Sequence, residues 1–421
     1  MSSMFRSLSE PNYRRWFSGA LVSNTGTWMQ RTAQDWIVLT QLTDNDATAL
    51  GICMALQLGP QLIMFPVAGA IADRFPKRKL LILTQALLGA CGLLLFALAI
   101  THLLVLWHVY VLAFALGMVA TIDNPARQAF VSELVGEKLL PNAVSLNSAS
   151  FNGARMFGPA IAGGLTALIG AEPVFLISGL GFAATIGVLL TLDRTRLHST
   201  STRKMGKRGV LGGFTYIRTR PDIIVVLTIL GIVSTFGFNF SVYTATMAKI
   251  EFHQDAGGFG LLSSVMAIGS VAGALTAARR EKPRLRMVFG AAGGFGLACL
   301  LAAMAPSYWA FAVVLTGVGF SAITMMTSAN AYVQTTTPAG YRGRVMAIYA
   351  AVVMGGTPIG APVAGIIADL LGPRASLVVG GLSGVIGLSV GLGWMIFAKH
   401  LRVHRPRRRR RLIHLSYDGK P

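Results

Sequence analysis

Four residues near the start of the chain have side chains and spacing suited to proton chemistry. Asn24, Trp28, Arg31 and Asp35 recur at helical intervals, which places all four on one face of a helix. The surrounding stretch is apolar enough to enter a membrane, where a charged side chain is costly unless it faces water or a partner. We therefore expect Asp35 to be a proton-coupling carboxylate, with Arg31 beside it.

Two other interpretations of this face stay open. Arg31 lies one turn from Asp35 and would keep the carboxylate ionised in an opposite-charge pair, so that both residues would be structural. At about 1.5 Å per residue, Asp35 also falls in the outer half of its helix, where it could belong to an outer gate.

Further polar side chains inside apolar stretches are candidates for lining a central cavity. Arg155 is the other charged residue well inside such a stretch. It could bind an anionic substrate, act in a charge relay with Asp35, or pack against a carbonyl or a lipid phosphate. Any of the amides could equally join helices to each other. The expected cavity residues are Asn24, Trp28, Gln57, Gln61, Asn152, Arg155, Asn239, Tyr243 and Asn330.

The composition requires a membrane to position these residues. Of 421 residues, 53% are hydrophobic and only 13% are charged, a balance that a water-soluble surface does not tolerate. A span needs roughly 20 apolar residues. Spans are predicted at 16–42, 47–72, 80–101, 107–122, 139–169, 173–192, 223–248, 256–278, 345–368 and 375–398, with two more inside 287–341 around a turn near Pro306.

The basic residues orient these twelve predicted helices. The net charge of +21 is spread over short clusters between apolar runs, which argues against a nucleic-acid partner. Nearly all Lys and Arg fall on one predicted side, and Lys249 and Arg374 are the exceptions in the opposite loops. The positive-inside rule then places both termini in the cytoplasm of a multi-pass cell-membrane protein, with the basic segments beside anionic lipid.

Two internal matches predict a repeat. Residues 67–70 (VAGA) recur at 271–274, and 158–170 resembles 360–372 at nearly the same separation. The expected fold is all-α, with two parallel six-helix repeats. The predicted units are an N-terminal bundle at 1–192, a basic linker at 193–222, a C-terminal bundle at 223–398 and a basic tail at 399–421. The linker is expected to be a solvated loop or, in its 209–218 part, an amphipathic helix on lipid.

The loop between the second and third predicted helices carries a motif. Its sequence, 69–79, reads GAIADRFPKRK and resembles the signature loop of the major facilitator superfamily, with proline at 76 where that superfamily usually has glycine. The resemblance implies twelve helices in two halves. It also implies a cytoplasmic gate at which Asp73 and Arg74 hold the halves together, within a loop that includes Gly69, Lys77 and Arg78.

The fifth predicted helix carries a second motif. Gly158, Pro159 and Gly163 lie in a stretch that resembles the glycine-proline motif of the superfamily's antiporters, although Ala162 replaces the first glycine of the usual pair. That resemblance implies export, whereas close helix packing by small residues would explain the same stretch. Segments 24–36 and 123–130 further resemble the bacterial branch that exports drugs and siderophores.

Together these features predict proton-coupled export of a small amphipathic molecule, such as a drug or siderophore, by alternating access. An importer or facilitator with the same fold is the alternative, and a non-transporting membrane protein is less favoured. No phosphate-binding loop, HExxH, GxSxG or Cys/His cluster occurs. We therefore expect no enzymatic activity, no cofactor and no metal, with small-molecule substrate and protons as the partners of a monomer.

Overall fold

The chain is almost entirely helical over residues 3–198, 211–278, 284–399, 401–404 and 414–417, which the computed structural model describes. Its α-helices are α1 (Pro11–Ile37), α2 (Ala47–Arg74), α3 (Lys77–Ile100), α4 (Leu106–Leu134), α5 (Leu140–Ile169), α6 (Glu172–Leu190), α7 (Leu211–Arg218), α8 (Pro221–Phe236), α9 (Phe240–Thr246), α10 (Ala256–Ala278), α11 (Leu285–Ala303), α12 (Tyr308–Thr336), α13 (Ala339–Leu371) and α14 (Pro373–Lys399). Short 3₁₀ helices cover Ser3–Ser9 and Arg194–Arg196, and π-helical turns cover Val38–Leu42 and Met247–Glu251.

Two short strands, β1 (Leu401–His404) and β2 (His414–Tyr417), pair antiparallel after the last helix. Residues 199–210 of the predicted linker and the arginine-rich 405–413 of the predicted tail lie outside the described residues. Within the linker, α7 packs against α13, and Tyr216 stacks on Tyr341 with ring centroids 4.7 Å apart.

Ten helical segments of the described chain are long and apolar enough to cross a membrane. α1 and α5, with 27 and 30 residues, are as long as these segments, but they are more polar and fall outside this set. α1 carries Asn24, Trp28 and Arg31, and α5 carries Asn152 and Arg155, and these two helices pack on each other. The turn predicted near Pro306 is confirmed: α11 ends at Ala303 and α12 begins at Tyr308.

Two predicted spans are corrected by the structure. The fourth was expected to end at Ile122, where charged residues begin, but α4 continues through Pro125 to Leu134 because those charges are paired and buried. The seventh was expected to be one continuous helix, but it breaks between α8 and α9 at residues 237–239. A glycine and side chains that bond to freed carbonyls make such a break tolerable.

The first six long helices pack on each other, as do those from α8 to α14, and two helix pairs form most of the junction between these groups. α2 packs against α13, and α5 packs against α10. The repeated segments lie on these four helices: the first repeat pair is on α2 and α10, and the second is on α5 and α13. α2 therefore packs against the counterpart of α5, and α5 packs against the counterpart of α2, as expected for a two-fold arrangement of matching halves.

Candidate functional site

Asp35 lies at the end of α1, enclosed by both groups of helices. Its side chain is only 3% exposed, and its Oδ1 accepts a hydrogen bond from Nε2 of Gln57 on α2 at 3.2 Å. Ser241 on α9, in the second half, lies within hydrogen-bonding reach of the same carboxylate. The carboxylate is therefore bonded to a side chain of the first half and lies near one of the second.

Arg31 does not form an ion pair with Asp35. The ion pairs of the described residues are Arg127–Asp123, Arg196–Asp193, Arg220–Asp222 and Arg374–Glu251. The Arg31 guanidinium lies over the ring of Trp28 instead, with its carbon 5.5 Å from the ring centroid. Arg155 on α5 lies over the same ring at 5.6 Å, so the structure brings Trp28, Arg31 and Arg155 together.

The remaining amides of the predicted cavity have varied surroundings. Asn24 is buried and donates to Oγ of Ser150 on α5 at 3.3 Å, so it joins two helices of one half. Asn152 is exposed and donates to a carbonyl of its own helix, that of Ser148, at 2.9 Å. Gln61 on α2 is partly exposed and Asn330 on α12 is exposed, and the structure does not bring them to Asp35.

Asn239 and Tyr243, predicted as cavity residues, donate hydrogen bonds to backbone carbonyls of their own segment. Both are buried at the break between α8 and α9. Nδ2 of Asn239 donates to the carbonyl of Thr235 at 2.7 Å, and the Tyr243 hydroxyl donates to the carbonyl of Phe236. These bonds satisfy the carbonyls that the missing helical turn leaves free, so the two side chains stabilise the break.

One end of the junction between the halves is tightly closed. Asp369 at the end of α13 accepts hydrogen bonds from the backbone amides of Ala47 and Thr48, each at 2.8 Å, and from the Thr48 hydroxyl at 2.5 Å. It thereby caps the N-terminus of α2 from the other half. Trp36 also stacks on Phe259 of α10 with ring centroids 5.7 Å apart. We refer to this region, formed by residues 36, 47, 48, 259 and 369, as the closed end.

The span-5 motif contributes to this closure through close packing. A Cβ at Gly158 would lie 2.5 Å from Cβ of Trp28, within the first half. A Cβ at Gly163 would lie 2.6 Å from Cα of Gly260, and one at Gly260 would lie 3.2 Å from the Pro159 carbonyl oxygen, across the halves. Small residues at these points allow the backbones of α5 and α10 to meet.

At the other end of α2, the described residues of the 69–79 loop show no such cap or ring stack with the second half. A Cβ at Gly59 or Gly69 on α2, or at Gly153 on α5, would meet no other atom within 4 Å. Asp73 and Arg74 are exposed, and neither forms an ion pair within the described residues. We refer to this region, the loop of residues 69–79 and its surroundings, as the open end.

Two basic residues of the loop have contacts within the first half. Arg78 donates to the carbonyls of Leu189 and Leu190 at 2.6 and 3.0 Å, at the last turn of α6, where a cation also complements the helix dipole. Lys77 donates from Nζ to the carbonyl of Asp73 at 3.4 Å. The loop is thus anchored to its own bundle while Asp73 and Arg74 remain accessible.

α4 carries a buried charge network that the sequence pattern did not predict. Asp123 and Arg127 form an ion pair on α4 with side chains only 5% and 7% exposed. Asp123 also accepts from Thr84 at 2.5 Å and Gln85 at 2.9 Å on α3, and Arg127 donates to Ser23 on α1 at 2.9 Å. The spacing of an acid four residues before a base on a helix was the available signal.

The ends of the linker are tied to the bundles. Asn12 on α1 exchanges two hydrogen bonds with the backbone of Asp193, at 2.8 and 3.1 Å. The Thr195 hydroxyl and amide donate to the Asp193 carboxylate and lower its pKa. At the other end, hydrogen bonds to Asp222 raise the pKa of Arg220.

The family is decided by comparison with known proteins. A family model described as transmembrane secretion effector, within the major facilitator superfamily, matches residues 2–403. The chain belongs to this transporter family. Its relatives include the staphyloferrin A transporter of Staphylococcus aureus, 26% identical over 374 residues that cover 87% of this chain and 92% of that protein. The enterobactin exporter of Salmonella typhimurium is 27% identical over 371 residues, 87% of each chain.

Solved structures share the fold of this chain. A D-xylose-proton symporter matches with a TM-score of 0.70 at 12% identity and covers 92% of this chain and 97% of its own. A bacterial homologue of the lysosomal transporter Spinster, in an inward-facing unoccupied conformation, matches with a TM-score of 0.69 at 11% identity and covers 91% and 96%. The protein is therefore a multi-pass membrane transporter, and its family and relatives are transporters rather than enzymes.

Proposed function

We propose that this protein is a secondary active exporter that exchanges protons for a small amphipathic molecule by alternating access. The observation that carries the proposal is the position of Asp35, whose carboxylate accepts a hydrogen bond from Gln57 in the first half and lies near Ser241 in the second. Protonation changes what such a carboxylate can accept from both halves. The proton and the separation of the halves are therefore linked at one side chain.

The proposed topology has twelve spans, with α1 and α5 added to the ten apolar segments and both termini in the cytoplasm. The basic linker and tail then lie near anionic lipid, outside bundles at 1–192 and 223–398. Arg374, an outer-loop exception to the positive-inside rule, is accounted for by structure: it pairs with Glu251 and donates to the carbonyls of Ala303 and Ala305.

In this topology the closed end faces outward and the open end faces the cytoplasm. The conformation is then the one that receives substrate from inside. In the opposite conformation the Asp369 cap and the Trp36–Phe259 stack would separate, and Asp73 and Arg74 would meet the second half, as the resemblance of their loop implies. Each transport cycle would exchange one set of contacts for the other.

The motif and the relatives support the proposed direction and substrate class. Gly158, Pro159 and Gly163 resemble the antiporter motif, and one relative is named an enterobactin exporter. Another is named a staphyloferrin A transporter. We propose export of a siderophore or a drug of similar character by a monomer.

The test is transport in proteoliposomes that contain the purified chain, with enterobactin, staphyloferrin A and ethidium as probes. An exporter accumulates a probe in inside-out vesicles when the interior is acidic, and the accumulation collapses when the proton gradient is dissipated. Accumulation only in right-side-out vesicles would establish an importer. Equilibration without accumulation would establish a facilitator and overturn the coupling.

A further inference from the structure

Trp28 is the centre of a positively charged cluster. The guanidinium carbons of Arg31 and Arg155 lie 5.5 and 5.6 Å from the centroid of its ring. The ion pairs formed by the described residues include neither arginine. The nearby acid, Asp35, accepts its hydrogen bond from Gln57 instead. Two positive charges thus share one aromatic ring without a carboxylate bound to either.

This cluster lies next to the contact between α5 and α10 that joins the two halves. Arg155 is one turn before Pro159, on the face of α5 that meets α10 around Gly260. The side chain of Arg155 is exposed. Phe151, one turn further from the closed end, is 39% exposed and meets Trp28 edge to face with ring centroids 6.2 Å apart. Arginine and aromatic side chains are therefore accessible beside the contact between the halves.

Arg31 has hydrogen-bonding capacity that the protein leaves unused. Its side chain is only 9% exposed, and its Nε has no hydrogen-bond partner. A buried donor without a partner is costly, more so in a charged group. A ligand that accepts from this nitrogen would remove that cost.

We propose, resting on the proposed transport function, that Trp28, Arg31, Phe151 and Arg155 form the substrate site and that its ligand is a small aromatic anion. Guanidinium groups bind carboxylates and related anions through paired hydrogen bonds, and two of them repel a cationic ligand. Trp28 and Phe151 can stack against an aromatic ligand, whereas an aliphatic anion makes weaker contacts with their rings. A lipid headgroup supplies the negative charge but lacks the aromatic ring.

The site is tested by calorimetric binding to the purified full chain in nanodiscs of zwitterionic lipid. The probes are 2-naphthoate, its uncharged counterpart 2-naphthamide, and octanoate, an anion without a ring. The parent is expected to bind 2-naphthoate about tenfold or more tightly than either of the others, because both the charge and the ring contribute.

Arg155→Gln is the principal variant because its side chain is exposed and its replacement does not disturb a packed interior. It is expected to weaken 2-naphthoate binding about tenfold and to leave 2-naphthamide binding unchanged. Arg155→Lys, which keeps the charge but not the paired donors, should recover part of the loss. Arg342→Gln, a change of an exposed arginine on α13, should have no effect.

Several results would overturn the site. The first is binding of 2-naphthamide or of octanoate as tight as that of 2-naphthoate. The second is unchanged 2-naphthoate binding in both Arg155→Gln and Arg31→Gln. Loss of binding in nanodiscs that contain phosphatidylglycerol would assign the cluster to lipid headgroups and also overturn it. The outcome is separable from the proposed function. A parent that transports a probe without this preference refutes the site alone, whereas one that keeps the preference but transports nothing refutes the function alone.

Discussion

The side-chain amide of Gln57 donates a hydrogen bond to Oδ1 of Asp35 over 3.2 Å. This bond joins α1 to α2 in the first half, and Ser241 approaches the same carboxylate from the second half. An ion pair with Arg31 would have fixed Asp35 in its charged form, but the Arg31 guanidinium lies over Trp28. The carboxylate is therefore held by a neutral hydrogen-bond donor and not by an arginine.

Asp35→Asn should abolish uphill transport and leave exchange between equal substrate pools intact. An asparagine keeps the size and one accepting oxygen but has no proton to release. The measurement compares gradient-driven accumulation with counterflow in the same vesicles, and Asp35→Glu should restore accumulation in part. Full-rate accumulation by Asp35→Asn would refute the coupling assignment, and loss of folded protein in both variants would make Asp35 structural.

Asp369→Ala should open the closed end. It removes three hydrogen bonds to Ala47 and Thr48, which together stabilise this end by about 2 kcal/mol, or roughly thirtyfold in the equilibrium between conformations. The reporter is Cys53, which is fully buried on α2, labelled from outside with an impermeant thiol reagent in a Cys91→Ser/Cys299→Ser background.

The matched control for this variant is Asp44→Ala, in the loop that precedes α2, because its side chain is exposed. It should leave the labelling of Cys53 as slow as in the parent. Equal labelling in Asp369→Ala and the parent would show that the cross-half cap does not hold the end closed.

Gly163→Ala should disturb the same junction from α5. The added Cβ would lie 2.6 Å from Cα of Gly260, whereas a Cβ at the neighbouring Gly164 would meet nothing within 4 Å. Overlap with backbone forces the helices apart, at a cost of typically ~1–3 kcal/mol. Labelling of Cys53 should rise in Gly163→Ala and stay unchanged in Gly164→Ala; equal behaviour of the two would contradict the proposed packing role.

Arg127→Ala should destabilise the first bundle strongly. It leaves Asp123 buried without its cation, a loss of about 3–5 kcal/mol. The exposed pair formed by Arg196 and Asp193 supplies the control, since Arg196→Ala should cost at most ~1 kcal/mol. Unfolding of the detergent-solubilised protein gives both values, and similar small losses would show that the network on α4 is not a structural support.

Apolar length predicted most of the helices, because each crossing needs the same run of lipid-compatible residues. The end of α4 was not predicted, because charged residues such as Asp123 and Arg127 are typical of a loop. Their hydrogen-bond partners on α3 and α1 cannot be identified from the sequence. The break between α8 and α9 was missed because Asn239 and Tyr243 stabilise it through bonds to carbonyls nearby in space. Such pairings depend on the packed structure and leave no periodic signal.

The candidate site was predicted in part. Helical spacing placed Trp28, Arg31 and Asp35 on one face, but it gave no reason to bring Arg155 from α5 to the same ring. The matching repeats indicated two halves, yet the cap that Asp369 makes on α2 joins residues more than 300 positions apart. Contacts across the halves arise from their docking, which a single sequence does not display.

The most direct test of proton exchange is the interior pH of proteoliposomes that hold a trapped pH-sensitive dye. When enterobactin, staphyloferrin A or ethidium is added outside, an antiporter carries the transported probe inward and protons outward. The account predicts interior alkalinisation with the parent and none with Asp35→Asn. Acidification that accompanies uptake, or uptake of a probe without any pH change in the parent, would contradict it.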